Sequence, residues 1–134
     1  MRAKVLAAVF VGGALGTLAR FAIGLGVDVL PLEDLMGQLV ATSIVNLFGA
    51  LFLGWIHAVG SSRSESWRGF WGPGVAGGFT TMSGLALITA GAELGLSSVG
   101  YLYWIAVGVQ LALGILAYWL GKQLADRRSS KAGS

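Results

Sequence analysis

The sequence predicts an all-α integral membrane protein with four transmembrane helices, the third of them broken, in a single domain over residues 1–134. Three observations carry that prediction. Of 134 residues, 55% are apolar and only 11% are charged, whereas a soluble domain is about a quarter charged. The mean hydropathy is +0.76, and the 22 glycines accompany only 2 prolines, which excludes collagen-like or linker sequence. The charges are also segregated. Arg20 is the only charge between Val5 and Val27, and Leu35–Val59 has none unless His57 is protonated. Gly69–Ala92 and Leu94–Gly121 have none at all. Each stretch supplies the roughly 20 apolar residues that a helix needs to cross a hydrocarbon core.

The spans are placed near 5–27, 35–58, 70–94 and 98–122, with connectors at Asp28–Asp34, Val59–Arg68 and Gly95–Ser97. Little chain remains for a separate globular unit. Arg2 and Lys4 before an apolar run resemble the start of a secretory signal. No small-residue cleavage site precedes a hydrophilic region, however, so no cleavage is expected. With four spans, the N-terminus, the second connector and the C-terminus share one side of the membrane. That side carries Arg2, Lys4, Arg63, Arg68, Lys122, Arg127, Arg128 and Lys131. The other side carries Asp28, Glu33, Asp34 and Glu93 and no Lys or Arg. Lys and Arg mark the cytoplasmic side, so both termini are expected in the cytoplasm and the chain in the plasma membrane. The net charge of +3 then reflects topology and contact with anionic lipid, and nucleic acid is not an expected partner.

In the first span Gly12, Gly16, Arg20 and Gly24 recur every four residues on one helix face. Small residues at that spacing form packing faces in lipid. A charge within a span costs about 3 kcal/mol on insertion scales, so Arg20 is expected to face water or a partner, or to anchor at the interface. In the second span Gln38, Thr42 and Asn46 form a polar stripe. Two readings of Asn46 stand: an interhelical hydrogen bond, or one member of a track of neutral donors for an anion. The third span opens on Gly72-Pro73-Gly74 and carries Gly77-Gly78-Phe79-Thr80-Thr81-Met82-Ser83-Gly84 in its middle. Such a run makes a poor continuous helix, and a break between about Gly77 and Ser83 frees backbone carbonyls of the kind that transporters use to hold ions. The fourth span has Gln110 between Gly108 and Gly114, an aromatic entrance at Tyr101, Tyr103 and Trp104, and Tyr118 and Trp119 toward its other end. These are read as structural. One His, no Cys and no spaced carboxylates leave a catalytic metal without ligands. No nucleophile elbow or phosphate loop is present, so no enzyme is expected.

Three segments together resemble one family. Gly12-Gly13-Ala14-Leu15-Gly16 followed by Ala19-Arg20-Phe21 is similar to the GGxxGxxxRY element of CrcB/Fluc fluoride channels. Thr42-Ser43-Ile44-Val45-Asn46-Leu47-Phe48-Gly49 resembles their TLxVNxxG second span, and Gly77-Gly78-Phe79-Thr80-Thr81 the start of their GGxTTFSTF break. The resemblance implies an antiparallel, dual-topology-type dimer with two pores, passing fluoride passively out of the cytoplasm and so reducing its toxicity. It implies a structural sodium ion held by the carbonyls of Gly77 and Thr80, and an anion pore lined by Asn46 and Thr42, with Arg20 at the interface or vestibule. Fluoride is strongly hydrated, and an amide or hydroxyl can replace its water without a fixed charge that would trap it.

The chain departs from that pattern at the two phenylalanines, whose places are taken by Met82 and Leu85. Neither offers the positive ring edge of an aromatic. Homodimers of this family insert in both orientations, which the one-sided charge of this chain opposes. Both features point to a heterodimer with an oppositely oriented paralogue, in which the pore lined by Asn46 works and the pore lined by Met82 and Leu85 is vestigial. A homodimer tolerating Met and Leu is the alternative. Two other readings remain: a non-conducting structural subunit, and a proton-coupled exporter of the small multidrug resistance type. The second requires a carboxylate within a span, whereas Glu93 lies near a span end.

Overall fold

The computed structural model describes residues 2–29, 31, 34–82, 86 and 100–132, and these are helical almost throughout. Two helices form as the apolar runs require: α1 over Arg2–Asp28 and α2 over Asp34–Val59. At 1.5 Å per residue each is about 40 Å long, enough to cross the hydrocarbon core. The expected second connector is itself structured. A 3-10 turn covers Gly60–Ser62, and α3 covers Glu65–Gly69. Ser64 caps α3, its Oγ accepting a hydrogen bond from the Trp67 N–H at 3.3 Å. Glu65 in the first turn and Arg68 in the last complement the helix dipole.

The third segment then widens into a π-helix over Phe70–Ala76. Pro73 lies within it, and the glycines on either side tolerate the wider turn of a chain that lacks one N–H. A single further turn, α4 over Gly77–Phe79, completes the described helix, and Thr80 turns extended at φ −79° and ψ 158°. Most of the remainder expected for the third span, Leu85 included, lies outside the described residues. The last helix, α5, covers Gly100–Ala132. It runs ten residues past the expected end of the fourth span at 122, because Lys122–Arg128 contains good helix formers and no proline to stop it.

Among the described residues, three helical stretches are long and apolar enough to cross a membrane: Arg2–Val27, Gly37–Ser62 and Trp104–Arg128. Among the described residues the chain is thus an all-helical membrane protein. Its large apolar side chains face outward, with Phe10 79% exposed and Leu6, Phe21, Trp104 and Ile115 similarly uncovered. The buried set is small in volume: Val27, Val45, Ile56, Ala76, Ala117 and Ala125. Lipid solvates large side chains as well as a core would, so helices associate through small ones. α2 packs chiefly against α5, and α1 against the π-helical stretch and α4. A Cβ at Gly16 would meet the Val75 carbonyl, so glycine is what permits that approach. Gly12 and Gly16 thus form a packing face, while Gly24 has nothing within 4 Å.

Candidate functional site

The end of helix at Phe79 creates a local problem of hydrogen bonding. In a continuous helix the N–H of Thr81 would serve the Gly77 carbonyl, and those of the next two residues would serve Gly78 and Phe79. Away from water such groups require other partners, and side chains of α1 and α2 supply one to the Gly78 carbonyl and one to the Thr81 N–H. Asn46 of α2 meets Thr81 twice: its Nδ2 donates to the Thr81 carbonyl at 3.0 Å, and its Oδ1 accepts from the Thr81 N–H at 2.7 Å. The amide thus pairs with extended backbone as a neighbouring strand would. Arg20 of α1 donates from Nη1 to the Thr80 carbonyl at 3.2 Å. One turn earlier on α1, the Thr17 hydroxyl donates to the Gly78 carbonyl at 3.4 Å. Thr80 closes the helix end itself, its N–H and hydroxyl both donating to the Ala76 carbonyl at 3.0 Å.

Arg20 is half-buried and donates to a carbonyl of the third segment, a partner of the kind that was one of its expected readings. Asn46 makes the interhelical bond that was one of its two readings, and it also lines a cavity of about 360 Å³. Thr80, Met82, Gln110 and Tyr118 share that cavity, whose remaining walls are apolar. Met82 is 62% exposed. Thr42 is buried one turn from Asn46, and its backbone carbonyl accepts from Gln110 Nε2 at 3.4 Å. Gly77 stands open, with nothing near the position a Cβ would take. No group of three or more His, Cys, Asp or Glu suited to a metal occurs among the described residues.

Thr17 escaped the sequence reading, and Gln110 and Tyr118 were read there as structural only. Thr17 lies three residues before Arg20, a spacing that places both on one face. Gln110, Gly114 and Tyr118 recur every four residues on α5, a stripe as regular as that of the second span. Tyr118, expected among the aromatics at the span end, is half-exposed and meets Nδ1 of the exposed His57 at 2.8 Å. Trp119 beside it stays exposed under Lys122, whose Nζ lies 6.0 Å from the ring centre.

A family profile described as "CrcB-like protein, Camphor Resistance (CrcB)" matches residues 7–122. Similar proteins include a fluoride-specific ion channel FluC 2 of Leifsonia xyli subsp. xyli, 33% identical over 93% of this chain and 86% of that protein. The fluoride-specific ion channel FluC 2 of Symbiobacterium thermophilum is 36% identical over 91% of this chain and 98% of its own length. The fluoride-specific ion channel FluC of Caulobacter sp. (strain K31) is 43% identical over 59% of this chain and 62% of that protein. The profile takes in all three segments noted above, with Arg20, Asn46 and Thr80 among them, and the chain belongs to the CrcB-like family.

Proposed function

We propose that this chain is a subunit of a fluoride-specific channel that exports cytoplasmic fluoride passively. The observation that carries the reading is the similarity over nine-tenths of the chain to proteins named fluoride-specific ion channels. The geometry supports it. Asn46 Nδ2 spends one N–H on Thr81, and an amide has two, leaving one for an anion in the adjoining cavity. Gln110 adds a second amide to the same cavity. Neutral donors in apolar walls offset dehydration without binding the ion too tightly to leave.

The finer architecture is part of the proposal. The chain crosses the membrane four times with both termini cytoplasmic, and its third span is broken after Phe79. It pairs in antiparallel fashion with an oppositely oriented paralogue. The one-sided placement of Lys and Arg supports that orientation. Several relatives bear the numeral 1 or 2 in their names, as suits organisms holding two such proteins. A structural sodium ion fits the donor set at Gly77 and Thr80. Diverting the Thr81 N–H to Asn46 removes the usual helical partner of the Gly77 carbonyl, and the Thr80 carbonyl retains a second lone pair beside Arg20. Carbonyls are the hard ligands that such a cation takes. Two from each subunit would enclose it between two chains.

Fluoride efflux from liposomes, read with a fluoride electrode, tests the proposal. The chain co-expressed with its paralogue should pass fluoride without a proton gradient, and alone it should pass little. Robust flux from the chain alone would refute the heterodimer, and no flux in either form would refute the channel. Met82 in the cavity, without a ring edge, favours a second reading as a non-conducting structural subunit. On that reading Asn46→Leu leaves the flux of the pair unchanged, whereas the channel reading predicts its loss.

A further inference from the structure

One face of α2 carries a groove from the broken segment to the end of the helix. Asn46, Ala50, Leu53 and His57 follow at steps of four, three and four residues, the spacing of a single helix face, and Gly60 of the 3-10 turn comes next. Asn46, Ala50 and Leu53 line the cavity already described. Leu53, His57 and Gly60 line a second cavity of about 340 Å³, with Ser61, Arg68 and Pro73 in its other walls. Leu53 is common to both. From Asn46 to Gly60 the chain rises about 21 Å, more than half of a hydrocarbon core of about 30 Å. His57 lines the second cavity and Tyr118 the first, and the two side chains meet in an exposed hydrogen bond, Nδ1 to hydroxyl at 2.8 Å with the rings edge to face.

We infer that the outer cavity is a second anion station, in series with the one at Asn46, and that the His57–Tyr118 hydrogen bond is the partition between them. The donors are of the required kind. Arg68 brings a guanidinium and Ser61 a hydroxyl, and no Asp or Glu is among the lining residues. When Tyr118 donates to Nδ1, the proton of neutral His57 rests on Nε2, which becomes a third donor. A fixed positive charge at the mouth raises the local concentration of small anions, while the inner cavity holds only neutral groups and lets them pass on. Breaking the pair removes one hydrogen bond and joins the two spaces. The anion as cargo rests on the channel reading above; the groove and its partition do not.

The chain has no cysteine, so single cysteines introduced into it report water access without background. Ser61→Cys would probe the outer cavity and Ala50→Cys the inner one, each in the assembled protein in liposomes, with anionic and cationic forms of one water-soluble thiol reagent. The anionic form should react faster at Ser61→Cys, and Arg68→Gln should abolish that preference. Tyr118→Phe should speed modification of Ala50→Cys about fivefold, the factor that an ordinary hydrogen bond supplies, and leave Ser61→Cys unchanged. An Ala50→Cys that reacts equally with and without Tyr118, or not at all, overturns the partition. A Ser61→Cys indifferent to reagent charge overturns the anion station. Because these rates are read without fluoride, a failure of fluoride flux in the parent protein would count against the channel reading alone.

Discussion

Between α2 and α5, Gly54 and Gly121 bring two backbones so close that a Cβ at either would meet the carbonyl of Tyr118 or Leu51. Both helices nevertheless run on without interruption. Between α1 and the third segment, Gly12 and Gly16 perform the same service against the carbonyls of Phe70 and Val75. There the facing segment swells into a π-helix and turns extended at Thr80. The difference lies in local sequence. Around Gly54 and Gly121 the neighbours are Leu, Ala and other helix formers, whereas Gly72-Pro73-Gly74 and Gly77-Gly78 lower helix propensity over a whole turn at a time. Small residues decide how near two helices come. The propensity of the facing segment decides whether its backbone then needs help from side chains, and the third segment draws on Thr17 and Arg20 of α1 and on Asn46 of α2.

The largest effects should come from filling the glycine contacts, since they hold both interfaces. At Gly16 an added Cβ meets the Val75 carbonyl and the Phe79 nitrogen at 2.8 Å, both of them backbone atoms. Gly16→Val should therefore lower stability by about 3 kcal/mol, the upper part of the range for overpacking. Gly121→Val should do the same at the other interface. Gly24→Val, with nothing within 4 Å, is the control within α1. Thermal unfolding in detergent, followed by size exclusion, checks all three. Tolerance of Gly121→Val alone would break the equivalence of the two interfaces.

Asn46→Leu comes next. It removes both bonds of the amide to the half-buried Thr81 backbone, and each such bond contributes about 0.5–1.5 kcal/mol. The variant should lose about 2 kcal/mol of stability, with faster hydrogen exchange at Thr81, whatever its effect on flux. Unchanged exchange would show that the pairing does not hold the extended segment. No comparable loss should follow from Gln110→Leu between α2 and α5, where a single bond at 3.4 Å is at stake.

These expectations mark what the sequence could and could not tell. The membrane class and helices α1 and α2 were legible within a few residues, because hydropathy and charge segregation respond directly to the bilayer. The helix end after Phe79 was legible from glycine and threonine together. The π-helix around Pro73 was not, since proline between glycines suits several backbones and the packing of this stretch, chiefly against α1, is tertiary. For Asn46 the spacing left two readings, and the partner at Thr81 follows from tertiary contact across 35 residues. Thr17, Gln110 and Tyr118 are ordinary residues until a neighbouring segment brings a carbonyl or an imidazole beside them.

Arg20→Gln should cost less than Asn46→Leu, because the Thr80 carbonyl accepts one bond from the guanidinium at 3.2 Å. Hydrogen bonds to charged groups contribute about 1.5–3 kcal/mol. Relief from holding a charge within the span offsets part of that, so a net loss of about 1 kcal/mol is expected. Arg20→Lys, which keeps the charge but not the planar fork, should fall between. A stabilised Arg20→Gln would mean that the cost of the buried charge exceeds the value of the bond. Denaturant titration of the detergent-solubilised protein gives the sign.

Thr17→Val should have the smallest effect, and it separates charge from shape at the same interface. Valine keeps the outline of threonine, so the α1 contact is preserved and only the bond to the Gly78 carbonyl is lost. That bond is long, at 3.4 Å, and exposed, where a net hydrogen bond contributes no more than about 0.5 kcal/mol. Its value lies in combination. Thr17 and Arg20 donate to carbonyls two residues apart, so if the end of α4 moves as one body, the double variant Thr17→Val/Arg20→Gln should lose more than the two single losses added together. Strict additivity in denaturant titration would show that each carbonyl is held independently. The third segment would then be fixed by its glycine packing, as α2 and α5 are, and not by the donors of α1.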